Sequence, residues 1–281
     1  MQRECYRFGG VTFAIAADAP IERSKMCEPF RVSGGAADHT IRLTFSDDLP
    51  QPPAEAARSG SVYRWQVGAE RHLLELYSAP GAPPQFTYAV TRGAHTEVTF
   101  AERYRTGASV RAALEAAGLF DIFADAGMLV LHSAYIVTPA GEAILFSGPS
   151  GIGKSTQAAL WEQLAGARVV NGDRALVDVA KKTANGIFYS GTSGICRNVT
   201  ASIQAIVLLG QNDENRVSTP SPQAAFAGVL SQCAYYEWDV CSAEKMTACV
   251  ARLVSDVPVL RMDCLPDATA VEALRGKLGG I

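Results

Sequence analysis

Residues 148–156 read GPSGIGKST and match the pattern G-x-x-x-x-G-K-[ST] at every fixed position. Such a segment restricts its surroundings, because it works only as a tight loop that leaves a β-strand and opens an α-helix. Gly148, Gly151 and Gly153 give the backbone the freedom to turn its N–H groups onto phosphate oxygens, with Ser150 and Ile152 between them. Lys154 is expected to face solvent as a mobile cation for β- and γ-phosphates, the Ser155 hydroxyl to sit on Mg²⁺, and Thr156 to complete the phosphate-contacting set. The flanks agree. Residues 143–146 (AILF) form a short apolar run, and residues 157–164 (QAALWEQL) are helix formers with apolar positions at helical spacing. Bound phosphates would then meet the positive end of that helix.

At 281 residues the chain is long enough for one large or two modest domains. Residues 1–115 read as a small, antiparallel, β-rich domain, with strand-like runs at 11–16, 40–45, 61–67, 72–77, 86–91 and 96–100. Proline clusters at 50–53 and 80–84 forbid long helices there. The opening MQRECYRF followed by GGVTFAIAADAP loosely resembles an export signal, but its apolar stretch is short and alternates, so it reads as a first strand.

From residue 109 the rhythm changes. Helical spacing over 109–126 is broken at Gly118. Strands follow at 130–137 and 142–146, joined by a turn at 139–141. After the loop and its helix come strands at 168–170 and 175–179, a turn at 181–186, a strand at 187–190 and a continuous apolar run at 204–209 suited to a buried strand. Helices at 223–236 and 242–254, a strand at 259–262 and a helix at 267–278 close the pattern. Residues 116–281 therefore read as an α/β domain built on a mixed sheet.

The formal charge of −3 gives no global attraction to nucleic acid or to a membrane surface, and neither is expected as a partner. No apolar run approaches the length that spans a bilayer. Seven cysteines are an odd number with no C-x-x-C pair, which argues against a disulfide framework and against a zinc cluster. Dependence on intracellular ATP would make the protein cytoplasmic.

A site for ATP needs a carboxylate besides the loop, and Asp173, in VVNGDR after a strand-like run, is the leading candidate. It could take the proton of an acceptor hydroxyl or hold Mg²⁺ through water. His132 lies in the apolar run LVLHSA, where a lone histidine is either a satisfied core residue or a functional one. Arg197 follows the small-residue stretch GTSGIC and could neutralise charge on a transferring phosphoryl group; Arg174, beside Asp173, could do the same.

Taken together, LHSAYIVTPAGEAILFSGPSGIGKST, VVNGDRALVDV and GTSGICRN resemble the C-terminal kinase domain of HPr kinase/phosphorylase and its paralogues. These are bacterial serine kinases whose nucleotide-binding fold is related to that of phosphoenolpyruvate carboxykinase. The resemblance covers residues 128–200 well, the rest of the C-terminal half weakly and the N-terminal part not at all. It implies a phosphoenolpyruvate-carboxykinase-like kinase domain at 116–281, with Lys154 and Ser155 as the loop lysine and serine and His132 in the place of a family histidine. A tandem Asp-Asp-Arg corresponds to Gly172-Asp173-Arg174, so its first aspartate is missing and Asp173 alone is left as base and metal contact. The downstream signature that recognises HPr is absent too. The resemblance thus implies a stand-alone paralogue that uses ATP and Mg²⁺ to phosphorylate a serine of a peptide or protein, in a family that assembles into homo-oligomers. Two further readings stay open: a small-molecule kinase, free serine being one acceptor, and an ATP-binding interaction module that transfers nothing.

Overall fold

The computed structural model describes residues 2–77 and 85–279; the proline cluster at 80–84 lies outside the described residues. The chain divides into two compact units. The first holds residues up to Ile122 together with Tyr236–Ala243, and the second holds Phe123–Tyr235 and Glu244 onwards. Both carry mixed sheets of parallel and antiparallel strands, with six α-helices in all among the described residues.

The first unit is a nine-stranded sheet. In chain order its strands are β1 (Gln2–Phe8), β2 (Val11–Ala17), β3 (Arg31–Val32), β4 (His39–Phe45), β5 (Ala57–Ser59), β6 (Val62–Val67), β7 (Glu70–Tyr77), β8 (Gln85–Arg92) and β9 (His95–Phe100), arranged β3-β1-β2-β4-β9-β8-β7-β6-β5. It is not purely antiparallel as the turn-rich sequence predicts. β4 lies between β2 and β9 and is parallel to both, because long connections bring it in from elsewhere, while β1–β2, β5–β6, β6–β7 and β8–β9 are tight hairpins. Two-residue turns such as Gly9-Gly10, with Gly9 at φ 58°, make those hairpins. Tyr6, Phe8, Phe13, Ile15, Phe30, Ile41 and Leu43 are fully buried in its core.

Two short helices follow, α1 (Val110–Ala116) and α2 (Leu119–Asp125); Ser109 caps α1 by accepting from Ala112 N–H at 3.1 Å. Gly118, at φ 73°, separates them. Within this unit a buried charge cluster ties distant segments together. Arg64 pairs with Asp121 and, at 3.2 Å, with Asp239, lies over the Tyr236 ring at 4.1 Å, and Ser242 Oγ donates to Asp121 at 3.0 Å.

The second unit continues with β10 (Met128–Val137), β11 (Ala143–Ser147), α3 (Lys154–Ala165), β12 (Arg168–Asn171), β13 (Arg174–Asp178), β14 (Thr183–Asn185), β15 (Thr200–Gln211), β16 (Arg216–Ser218), α4 (Pro222–Leu230), α5 (Val240–Asp256, its first residues in the other unit), β17 (Val259–Cys264) and α6 (Ala268–Leu278). The eight strands run β11-β10-β13-β14-β15-β17-β16, with β12 also on β10, and a parallel pairing of β11 with β15 closes a circuit. β11, β15 and β17 are mutually parallel neighbours, and the alternation of their side chains feeds two cores. Ile144, Phe146, Ala205 and Val207 pack with Trp161 of α3 and Leu274 of α6. Leu145, Ile206 and Leu208 pack with Val229 of α4 and Val250 of α5.

Two expected elements differ. Residues 187–190 are not a strand; Thr183–Asn185, read as part of a turn, is one, after a tight turn in which Lys182 takes φ 55°. The apolar Ile187 and Phe188 are instead a fully buried loop. The helix expected to reach residue 236 stops at Leu230, because the next residues pair with the edge of β10: His132 N–H donates to Gln232 O, and Ala234 N–H to Val130 O, both at 2.9 Å. The described cysteines are all free. No helix among the described residues is long and apolar enough to cross a membrane.

Candidate functional site

Residues 148–153 link the buried strand β11 to α3, and glycines occupy the left-handed positions: Gly148 at φ 144°, Gly151 at 80°, Gly153 at 113°. Gly153 precedes the helix, so Lys154, Ser155 and Thr156 form its first turn, three residues earlier than helical spacing alone suggests. Their N–H groups belong to the orphan donors of a helix start. A cavity of about 450 Å³ opens here, lined by Ser150, Gly151, Gly153, Lys154, Ser155 and Thr156 on one side and by His132, Gly172, Asp173, Thr192 and Ser193 on the other. Gly148 and Ile152 shape the loop from behind, since a Cβ at Gly148 would come within 3.2 Å of the Ile152 side chain.

Lys154 departs from expectation. It is not solvent-facing: only 8% of it is exposed, and its ammonium donates to the Gly148 and Pro149 carbonyls at 2.8 and 2.9 Å. A buried ammonium needs acceptors, and the loop's own carbonyls are the nearest. Burial also holds its pKa below the usual lysine value, opposed by Asp173.

Asp173 is set by an interruption in a ladder. β12 and β13 follow the same edge of β10, with Asn171 opposite Tyr135 and Arg174 opposite His132, and Gly172-Asp173 fall between the two pairings. Asn171 is wholly buried and organises the break. Its Oδ1 accepts from the N–H groups of Asp173 and Arg174 at 2.9 and 3.0 Å, and its Nδ2 donates to Ile187 O at 2.8 Å. The Asp173 carboxylate has His132 Nε2 at 3.5 Å and Arg174 Nε at 3.4 Å. His132 sits at the end of the β10–β13 pairing, its carbonyl accepting from Ser147 Oγ at 2.8 Å. Burial, with Lys154 adding to it, lowers the His132 pKa below the ordinary histidine value, so the ring is neutral near pH 7.

The structure does not bring Arg197 to this cavity. Its guanidinium donates to the Val169 carbonyl and its own N–H to Val170 O at 3.0 Å, tying it to β12. Arg174 stands closer, beside Asp173 and over the Tyr189 ring at 5.4 Å. What the sequence stretch GTSGIC contributes is the turn Gly191–Ser193. Gly172 leaves room for it, since a Cβ at 172 would meet the Ser193 hydroxyl and come within 2.7 Å of Ser193 Cβ. Asn171 and Ser193 thus shape the site from within the quoted segments VVNGDR and GTSGIC, although neither is singled out there.

The donor set suits Mg²⁺ held jointly with phosphates. The described residues contain no group of three or more His, Cys, Asp or Glu able to hold an ion alone. Mg²⁺ is usually held by one or two protein oxygens together with phosphates and water, which Ser155 and Asp173 could supply from opposite walls. No protein-family model matches the chain, and no curated protein matches its sequence.

Proposed function

We propose that the second unit is an ATP- and Mg²⁺-dependent kinase that transfers the γ-phosphate to a serine hydroxyl of a peptide or protein. On this reading the unit is a phosphoenolpyruvate-carboxykinase-like domain and a stand-alone relative of the HPr kinase/phosphorylase kinase domain. One observation carries the proposal: a loop of glycines at a helix start, a lysine, a hydroxyl and a carboxylate line a single cavity.

Each residue has a task there. The loop N–H groups and the start of α3 receive the phosphates. Lys154 exchanges its two loop carbonyls for phosphate oxygens. Asp173 accepts the proton of the attacking hydroxyl, and His132, with its Nε2 3.5 Å from that carboxylate, flanks it. Arg174 balances the charge of the carboxylate. Ser155 and Asp173 would hold Mg²⁺, which when bound neutralises charge across the transferred phosphate.

A radiolabelled γ-phosphate assay against serine peptides, run with thermal unfolding in Mg·ATP, tests this. Asp173→Asn should cut turnover by on the order of a hundredfold or more. ATP-dependent stabilisation should persist in that variant, because Lys154 and the loop remain. Equal turnover in the variant removes Asp173 from the base role. Stabilisation by ATP without transfer to any hydroxyl favours the non-transferring module, a reading that the lone carboxylate beside Gly172 supports. No stabilisation by ATP sinks the nucleotide assignment.

A further inference from the structure

The wall of the cavity that faces the glycine loop carries a hydroxyl of the chain's own. The turn Gly191–Ser193 leans on Gly172 and Asp173 with almost no space between. Gly191 takes φ 53°, and a Cβ there would come within 2.9 Å of Asp173 Cγ and 3.0 Å of its Oδ1. Ser193 sits over Gly172. Between these two contacts is Thr192, exposed and lining the same cavity as Lys154, Ser155 and Asp173.

The two hydroxyls differ in availability. Ser193 Oγ donates to Ser190 O at 2.7 Å and accepts from Ile195 N–H at 3.2 Å, so it is committed to holding the turn. Thr192 Oγ1 has no hydrogen bond among the described residues. An unengaged hydroxyl one residue from the glycine that touches the carboxylate, facing a phosphate-binding loop, has the components of an acceptor: oxygen, base and donor pocket.

We propose that Thr192 is a phosphorylation site modified by the chain's own active site. The inference rests on the phosphoryl-transfer reading above. The Thr192 Oγ1 lone pair forms a bond to the γ-phosphorus of ATP, the bond from that phosphorus to the β–γ bridging oxygen breaks, and ADP leaves. The hydroxyl proton passes to the Asp173 carboxylate. The product, a phosphothreonine carrying about −1.5 to −2 charge at neutral pH, shares its cavity with the Lys154 ammonium, which favours it.

The test uses the full chain incubated with Mg·ATP, followed by mapping of phosphopeptides by mass spectrometry. One phosphate is expected on Thr192, at a per-molecule rate unchanged by dilution because the transfer is intramolecular. Thr192→Val should abolish the modification and Thr192→Ser should retain it, with thermal unfolding verifying that both are folded. Asp173→Asn should reduce it in parallel with transfer to a peptide. Phosphate on Ser193 or elsewhere instead of Thr192 overturns the inference. So does an unmodified Thr192 in protein that phosphorylates a peptide or hydrolyses ATP, and in that case the kinase reading stands. Absence of modification together with absence of any ATP-dependent stabilisation or turnover overturns both.

Discussion

Asn171 Oδ1 accepts the backbone N–H of Asp173 at 2.9 Å, so a buried side chain fixes the residue proposed as the base. The same amide holds Arg174 N–H and the Ile187 carbonyl, three partners satisfied by one group. Asn171→Ala leaves these buried polar groups unpaired and should cost about 2 kcal/mol, at roughly 1–3 kcal/mol for such a loss. Denaturant unfolding checks the stability. Phosphoryl transfer should fall more steeply than the loss of folded protein explains, because Asp173 loses its fixed place.

Gly172 and Ser193 compete for one volume. Gly172→Ala should destabilise by roughly 1–3 kcal/mol, the usual cost of overpacking, because its methyl group meets the Ser193 side chain. Ser193→Gly in the same background should recover much of that loss. A double-mutant cycle in chemical denaturation measures the coupling, and strictly additive effects would contradict the contact.

Lys154→Met keeps the aliphatic stem and removes the ammonium from the Gly148 and Pro149 carbonyls. The lost hydrogen bonds and the relief of a buried charge oppose each other, so the unliganded stability should change by less than about 2 kcal/mol. The gain in melting temperature on adding Mg·ATP should shrink sharply. Differential scanning calorimetry with and without nucleotide reads both effects.

His132 binds a proton less readily folded than unfolded, because burial, aided by Lys154, lowers its pKa. The unfolded state therefore takes up the proton first as pH falls, and stability is lost going down from the unfolded value near 6.5. His132→Gln should have a shallower decline in melting temperature than wild type between about pH 7.5 and pH 5.5. His72 is shifted the same way by its own burial but is present in both proteins, so the difference isolates His132.

Arg64→Met in the first unit should cost about 3–5 kcal/mol at neutral pH by leaving Asp121 buried without its cation. Burial already raises the Asp121 pKa, and Arg64 opposes that shift. Without Arg64 the carboxyl protonates more easily in the folded state than in the unfolded one. The defect relative to wild type should therefore shrink as pH is lowered, and urea titrations across pH test the sign.

What could be read in advance was local. The glycine loop between an apolar run and a helix, and an aspartate at a strand break, are patterns within a few residues of one another. Their neighbours across the cavity were less accessible. Ser193 fills the space above Gly172 from 21 positions away along the chain, and no periodicity links the two. Lys154 could not be seen to fold back on its loop, because the pattern specifies the residue and not the acceptors it takes without a ligand. Arg197 looked suited to the site by proximity in sequence, yet a carbonyl of β12 captured it. In the first unit the strand-like runs were visible in the sequence, whereas the parallel placement of β4 depends on connections that composition does not encode.

The short stretch Tyr236–Ala243 belongs with a unit whose other residues end at Ile122. A ribosome makes those eight residues only after seven of the second unit's eight described strands and its glycine loop. Arg64 and Asp121 are on hand early, but Asp239 and Ser242 arrive late, Ser242 being 121 positions beyond the aspartate it contacts. The charge cluster of the first unit is therefore complete only once residues made long after its other members are in place.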